Sequence, residues 1–270
     1  MLSKKQSRLA LIKQLSPLLE CPHCGQALKA DDAGVSCPAG HRIDAAKQGQ
    51  LFLLRKQPPE TYTAALFAAR TRVIQAGVYK ALHEVLQEQL QDSRVIVDAG
   101  CGEGSHAEAL QQGTIIGIDN AKAGIDAAAK RSDRHLWLMG DLADPPLVPQ
   151  CADAVLNVLS PANYAAFARI LKPGGLLIKV TPGPRYLQEI RDADGTEAGQ
   201  PEPVTMPPSF ALEETNHVHV TVDLPVDLRK EMLRMTPLTW HMEEEALVKA
   251  ASTLSAVTID LLVHRAVCKP

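Results

Sequence analysis

The chain has 270 residues, of which 46% are apolar and 4% aromatic, and its formal charge is −3. That length suffices for one large domain and one small one, no apolar run approaches the ~18 residues of a membrane span, and the mild acidity argues against a protein that coats nucleic acid by bulk charge. The charge is uneven, however: residues 1–56 carry nine Lys/Arg against four Asp/Glu, a balance of +5, which leaves −8 for the rest and suggests an anionic partner at the front end.

Residues 1–20 read as a short amphipathic helical extension. Lys13 interrupts the apolar stretch and no small-residue cleavage site follows, so this is not an export signal. Reduced thiols in the cytoplasm are then expected for the six cysteines.

Residues 21–56 form the second segment. Cys21, Cys24, Cys37 and His41 have the spacing C-x2-C-x12-C-x3-H. A C-x2-C pair places two sulfurs on one tight knuckle, and "CPAGH" makes the second, with Pro38 and Gly40 supplying its turn. Three thiolates and one imidazole fill a tetrahedron, leave no place for water, and define a structural zinc site in a zinc-ribbon domain. His23 points away if both flanking cysteines bind. A module of this size needs such a staple, because its own core is too small.

Residues 57–93 are a helical linker. Pro58 and Pro59 mark its start, and Leu66, Ala69, Val73, Ile74, Val78, Leu82, Leu86 and Leu90 follow helical spacing, with Gly77 dividing two helices. Residues 94–270 alternate strand and helix: "RVIVDAG", "TIIGID", "HLWLMGD", "CADAVLNVLS" and "GGLLIKVTP" are strands one to five. Such alternation predicts an α/β fold with a mostly parallel sheet. The polar, Pro/Gly-rich residues 192–209 read as a mobile loop, and "HVHVTVDL" and "LSAVTIDLLVHRAVC" as two late strands.

The cofactor signal lies at the strand ends. "VDAGCGEG" carries Gly100, Gly102 and Gly104 as G-x-G-x-G, whereas a dinucleotide fold prefers G-x-G-x-x-G. Asp98 just before the glycines suits a cationic methyl donor with an amino-acid tail and no phosphate. Asp119 closes strand two and can accept both ribose hydroxyls. Asp141, in "GDLAD" with Leu142 beside it, is placed to reach the adenine. These pieces in order, followed by K-P-G-G, point to S-adenosylmethionine.

The zinc knuckles, "VDAGCGEG", "LKPGG", "TPGPRYLQEI", "AARTRVIQAGVY" and "LRMTPLTW" together resemble the bacterial 23S ribosomal RNA (guanine-N1)-methyltransferases over residues 21–270. The resemblance implies a class I (Rossmann-like) methyltransferase sheet with a small N-terminal zinc-ribbon domain, a 23S ribosomal RNA hairpin as substrate, and a homodimer. By position it makes Cys21, Cys24, Cys37 and His41 the zinc ligands, Tyr79 a cofactor contact, and Gly102 and Glu103 part of the glycine turn. Tyr186 falls where the family carries a histidine that touches the cofactor.

Guanine N1 sits on the Watson–Crick face, so the base must be unpaired or flipped. Asn157, at the end of strand four, is expected beside the methyl group, where its amide would orient the base edge. Trp240 is a candidate stacking surface and His241 a candidate base. Arg70, Arg72, Lys47, Arg55 and Lys56 are candidate phosphate contacts. Two other readings stay open: a small-molecule or protein methyltransferase with the ribbon as a staple, and a non-catalytic RNA-binding paralogue.

Overall fold

The computed structural model describes residues 4–56, 59, 62–111, 113–194 and 204–270. The front end is α1 (Lys4–Leu15), then β1 (Lys29–Ala30), β2 (Gly34–Ser36), β3 (Arg42–Asp44) and β4 (Leu51–Phe52). Two helices follow, α2 (Ala64–Gln75) and α3 (Lys80–Gln89). The hydroxyl of Thr63 caps α2 by accepting from Leu66 N at 3.2 Å, and Gly77, at φ +87°, makes the break before α3. Leu82, Leu86 and Leu90, four residues apart, lie on one fully buried face.

The remaining chain runs β5 (Val95–Ala99), α4 (Ser105–Ala109), β6 (Thr114–Asp119), α5 (Lys122–Arg131), β7 (Leu136–Met139), β8 (Ala152–Val158), α6 (Tyr164–Ile170) and β9 (Leu171–Pro182). It closes with α7 (Gln188–Asp194), β10 (Phe210–Asp223), α8 (Val226–Arg234), α9 (Glu244–Thr253) and β11 (Ala256–Cys268). Strands β1–β3 form a small antiparallel sheet, and the other eight form one sheet in the order β10-β11-β9-β8-β5-β6-β7-β4. All neighbours pair parallel except β11, which is antiparallel to both β9 and β10. The order reverses between β5 and β8, the switch point where an open α/β sheet leaves a crevice at its C-terminal edge.

The two faces of the sheet have separate cores. Ile96, Leu156 and Ile178 face Val73, Leu82, Leu86 and Met232 of the helices. Val97, Val155 and Leu177 face a second core that includes Phe167 of α6, Ile12 and Leu15 of α1, Leu19, and Cys21, Val35 and Cys37 of the ribbon. The N-terminal extension is thus wedged between ribbon and sheet. The ribbon segment does not close on itself either: Leu51 and Phe52 pair with Leu138 and Met139 as the outermost parallel strand of the large sheet.

The late strands are longer than their apolar stretches. Strand β10 starts at Phe210 rather than His217, because pairing with β11 runs from Phe210–Cys268 to Asp223–Ala256 and draws the polar "ALEETN" in. Of the expected loop 192–209, residues 192–194 end α7, 195–203 lie outside the described residues, and 204–209 lead into β10.

Candidate functional sites: a zinc knuckle and an acidic glycine turn

At the front end Cys21 Sγ lies 3.6 Å and Cys37 Sγ 3.4 Å from His41 Nδ1, and Cys24 Sγ lies 3.6 Å from Cys37 Sγ. All four ligand atoms fall within 4.8 Å of one another. Zn–S bonds of ~2.3 Å and Zn–N bonds of ~2.0 Å give tetrahedron edges of about 3.5–3.8 Å, so the donor set fits the ion. Gly25 and Gly40, at φ +70° and +86°, turn the two knuckles, and Gly25 N and Gly40 N donate to the carbonyls of Cys21 and Cys37. His23 lies outside the cluster, its ring 5.1 Å from that of His41. Cys21, Cys24, Cys37 and His41 form a closed, structural zinc site.

The second site is the turn after β5. Gly100, Gly102 and Gly104 have φ of +83°, +54° and +73°. A Cβ on Gly100 would stand 2.1 Å from Ser160 Oγ, and one on Gly104 would stand 2.3 Å from the Trp137 ring. Both positions therefore require glycine on steric as well as dihedral grounds. Around this turn the fold gathers Asp98 from β5, Glu103 from the turn and Asp119 from the end of β6.

These acids are short of partners. Asp98 and Glu103 are 2% and 1% exposed, and Asp98 Oδ2 and Glu103 Oε2 make no hydrogen bond. Burial, then the charges of Asp119 and Glu103, push the Asp98 carboxyl up to about 8. Burial also raises Glu103, against Arg70, whose guanidinium stands 3.8 Å away. Burial raises Asp119 too, although its Oδ2 accepts from Gly102 N at 2.7 Å and its Oδ1 from Ala121 N at 2.8 Å. A buried, unpartnered carboxylate oxygen among further acids is complementary to a cation with N–H donors and repels a phosphate. That is the chemistry of the methionine end of S-adenosylmethionine, and the residues present fit it.

The other expected contacts divide. Tyr79 is 1% exposed and its hydroxyl lies 2.7 Å from that of Tyr186, so α3 and the loop after β9 meet as a tyrosine pair. Leu142 approaches Gly100, lying 3.6 Å from where a Cβ would be. Asp141 is exposed on the loop after β7, where one carboxylate oxygen holds a local turn by accepting from Ala143 N at 2.8 Å.

Asn157 departs from its expected place. It is fully buried; Nδ2 donates to Ala99 O at 2.6 Å and Oδ1 accepts from Lys179 Nζ at 2.6 Å. Its amide is consumed inside the sheet and cannot present itself to a base. The residue that sequence reasoning missed is Lys179, 8% exposed on β9, which also donates to Ser160 O at 2.5 Å. Burial lowers its ammonium to about 8. A single lysine inside "LLIKVTP" was the available signal.

Trp240 is 47% exposed and packs edge-on to Tyr62, 37% exposed, at 5.5 Å. Tyr62 in turn lies 6.0 Å from Phe67, whose ring reaches the glycine turn beside Gly102. A run of aromatic rings therefore leads from the surface to the donor site, and His241 is exposed next to Trp240. The expected phosphate contacts Arg70 and Arg72 are already partnered, with Glu103 at 3.8 Å and Glu231 at 2.6 Å. Arg55 donates to Pro22 O and lies 3.6 Å from Asp144, whereas Lys47 and Lys56 are exposed.

A doubly wound sheet whose first strand ends in this glycine turn, bordered by unpaired acids, is that of a class I, S-adenosylmethionine-dependent methyltransferase. Residues 96–175 match the family model described as "Methyltransferase domain", and residues 19–58 match a zinc-ribbon model described as "RlmA, N-terminal". A 23S rRNA (guanine(748)-N(1))-methyltransferase of Streptomyces fradiae is 30% identical, with 96% of this chain and 99% of that protein covered. A Bacillus subtilis (strain 168) protein provisionally named as a 23S rRNA (guanine-N1)-methyltransferase is 31% identical over 90% of this chain and 95% of its own length. A malonyl-[acyl-carrier protein] O-methyltransferase of Xylella fastidiosa, 31% identical, matches only 41% of this chain. The chain belongs to the 23S rRNA (guanine-N1)-methyltransferase family.

Proposed function

We propose that the protein transfers the methyl group of S-adenosylmethionine to N1 of a guanine in a 23S ribosomal RNA hairpin. The observation that carries this reading is the end-to-end likeness to a relative of that printed activity, ribbon included. The bound donor supplies an electrophilic methyl group on a sulfonium; the chain supplies its placement. Asp98 takes the donor's amino group, with the backbone of Gly100, Gly102 and Gly104 beside it and Glu103 closing the charge balance. Asp119 takes the ribose hydroxyls. Asp141 and Leu142 border the adenine, and Tyr79 and Tyr186 wall the site from the other side.

On the acceptor side, in-line attack needs the base held close and correctly oriented. Trp240 and Tyr62 offer a stacking face to an extruded guanine. Lys179 fixes the carbonyl of Ser160, and through it the turn after β8 against which the base would rest. His241 is the candidate acceptor for the N1 proton. Lys47, Arg55 and Lys56, all on the positive front end, would take phosphates of the hairpin. The reading includes a homodimer, readable by light scattering, and a cytoplasmic location, where the substrate is. Among the described residues no helix is long and apolar enough to cross a membrane.

Reverse transcription across unmodified 23S RNA, after incubation with protein and donor, tests the reading. An N1 methyl blocks pairing, so a new stop at a single hairpin guanine is expected. Zinc-loaded, donor-binding protein that yields no stop overturns the assignment: methyl transfer to another acceptor would favour a small-molecule or protein methyltransferase, and RNA binding without transfer a non-catalytic paralogue.

A further inference from the structure

The late strand "HVHVTVD" holds a second group of metal-ligating side chains that the methyltransferase reading does not use. His217 and His219 project from the same face of β10, their rings 5.7 Å apart. Asp260 stands opposite on β11, directly paired with His219 in register. His217 Nε2 lies 2.5 Å and His219 Nδ1 3.4 Å from the same oxygen, Asp260 Oδ1. The three ligand atoms fall within 4.8 Å of one another.

The carboxylate is fixed and the imidazoles are accessible. The Asp260 side chain is 1% exposed, whereas those of His217 and His219 are 52% and 42% exposed. Its other oxygen accepts from Arg185 N at 2.7 Å, and Gly183 presses so close that a Cβ there would stand 2.5 Å from Oδ1. Asp260 is thereby aimed, with one oxygen already satisfied by the backbone and the other directed at two rings. On the same sheet face His264 is not available, since both its nitrogens lie 3.0 Å from threonine hydroxyls, Thr181 and Thr215.

We propose that His217, His219 and Asp260 bind a divalent transition-metal ion of the zinc, cobalt and nickel class. Two imidazoles and one carboxylate are a recurrent donor set for such ions, with the remaining positions left to water. Ligand bonds of ~2.0–2.2 Å require ligand atoms about 3–3.5 Å apart. His219 already meets that spacing, and a small rotation of the half-exposed His217 ring provides the rest. Unlike the ribbon, the site is open to solvent on one side. It shares Asp260 with the loop Gly183–Tyr186, so an occupying ion would also tie down the backbone that carries Tyr186.

The test uses full-length, tag-free protein with the ribbon already loaded with zinc, titrated with Co2+. One Co2+ per chain beyond the ribbon zinc is expected, with a visible d–d spectrum free of thiolate charge transfer. His217→Gln and His219→Gln should each weaken it about tenfold or more. Both positions are half-exposed, so retained zinc content and melting temperature serve as folding controls. No saturable Co2+ binding, binding unchanged in the double variant, or a thiolate spectrum with release of ribbon zinc would each overturn the proposal.

Discussion

The zinc knuckle and the glycine turn are built alike and finished differently. Each uses left-handed glycines to fold a short loop around three acidic groups, the thiols of Cys21, Cys24 and Cys37 in one, the carboxyls of Asp98, Glu103 and Asp119 in the other. Each needs a cation. In the knuckle a fourth ligand, His41, closes the shell around a resident ion, and the result is part of the fold. In the turn, among the described residues, the shell stays open: Arg70 stands 3.8 Å from Glu103, and Asp98 Oδ2 makes no hydrogen bond. The missing charge must arrive with a ligand and leave again. Permanent closure makes a staple, whereas deferred closure makes a site that can turn over.

The strongest way to break this contrast is to remove the zinc. Structural zinc holds ~10 kcal/mol or more of apparent free energy in small modules. Chelation, or Cys37→Ser, should therefore unfold the ribbon and lower the melting temperature of the whole chain, because Cys21, Val35 and Cys37 share a core with Val97 and Leu177 of the sheet. Hydrogen exchange would locate the loss. A ribbon still protected after chelation would show that the knuckle is not the staple.

Asp98→Asn is the next test. It removes the negative charge that Asp98 takes on when the donor binds and should weaken donor binding by about 100-fold, the scale of a lost charge-assisted contact of ~2–3 kcal/mol. The pH dependence follows from the same group. Its folded-state pKa of about 8 exceeds the unfolded value of ~3.9. The ligand-free fold thus keeps a proton that the unfolded chain releases, and it loses stability as pH rises through that window. A cationic donor selects the ionised form, so binding expels the proton and affinity should rise about tenfold from pH 6 to pH 7. Calorimetry in two buffers reads the released proton. A flat profile, or an Asp98→Asn variant that keeps the slope, would assign the effect elsewhere.

The two sites also differ from their surroundings in how far the sequence reveals them. Both have a local signature: C-x2-C-x12-C-x3-H holds all four zinc ligands and D-x-G-x-G-x-G holds Asp98 and Glu103, while Asp119 is placed beside them by the adjacent parallel strand that strand alternation predicts. What stayed hidden depends on distant pairing. Nothing near Arg72 announces Glu231, and nothing near Asn157 says that Lys179 and the Ala99 carbonyl will claim its amide. Helix α1 looks like an appendage until Ile12 and Leu15 are seen between ribbon and sheet. The pair Leu51–Phe52 joins the large sheet through β7, more than eighty residues on. His217, His219 and Asp260 converge only once the β10–β11 register is known.

Trp240→Ala separates acceptor from donor. Stacking of a base on an aromatic ring is worth ~1–3 kcal/mol, so kcat/KM for RNA should fall about tenfold or more while donor affinity holds. Trp240 packs on Tyr62, whereas the donor's charge is met by the acids of the glycine turn. A matching loss of donor binding would mean instead that the ring run from Trp240 through Tyr62 to Phe67 supports the glycine turn.

The smallest expected effect is at Tyr186. Its hydroxyl meets that of Tyr79 at 2.7 Å, and burial raises both phenols, so both stay protonated near neutral pH. Tyr186→Phe removes one buried hydrogen bond worth ~0.5–1.5 kcal/mol and leaves the ring in place; donor affinity should drop by about two- to tenfold at most, without any change in pH profile. Tyr186→His restores the residue expected at this position from the family resemblance but brings a shorter side chain. From the same backbone the imidazole falls short of Tyr79. If donor affinity is nevertheless kept in Tyr186→His and lost in Tyr186→Phe, a hydrogen-bonding group at position 186 contacts the donor directly. If both variants lose equally, the hydroxyl acts through Tyr79, and the tyrosine pair is a clasp between α3 and the loop after β9 rather than a contact of its own.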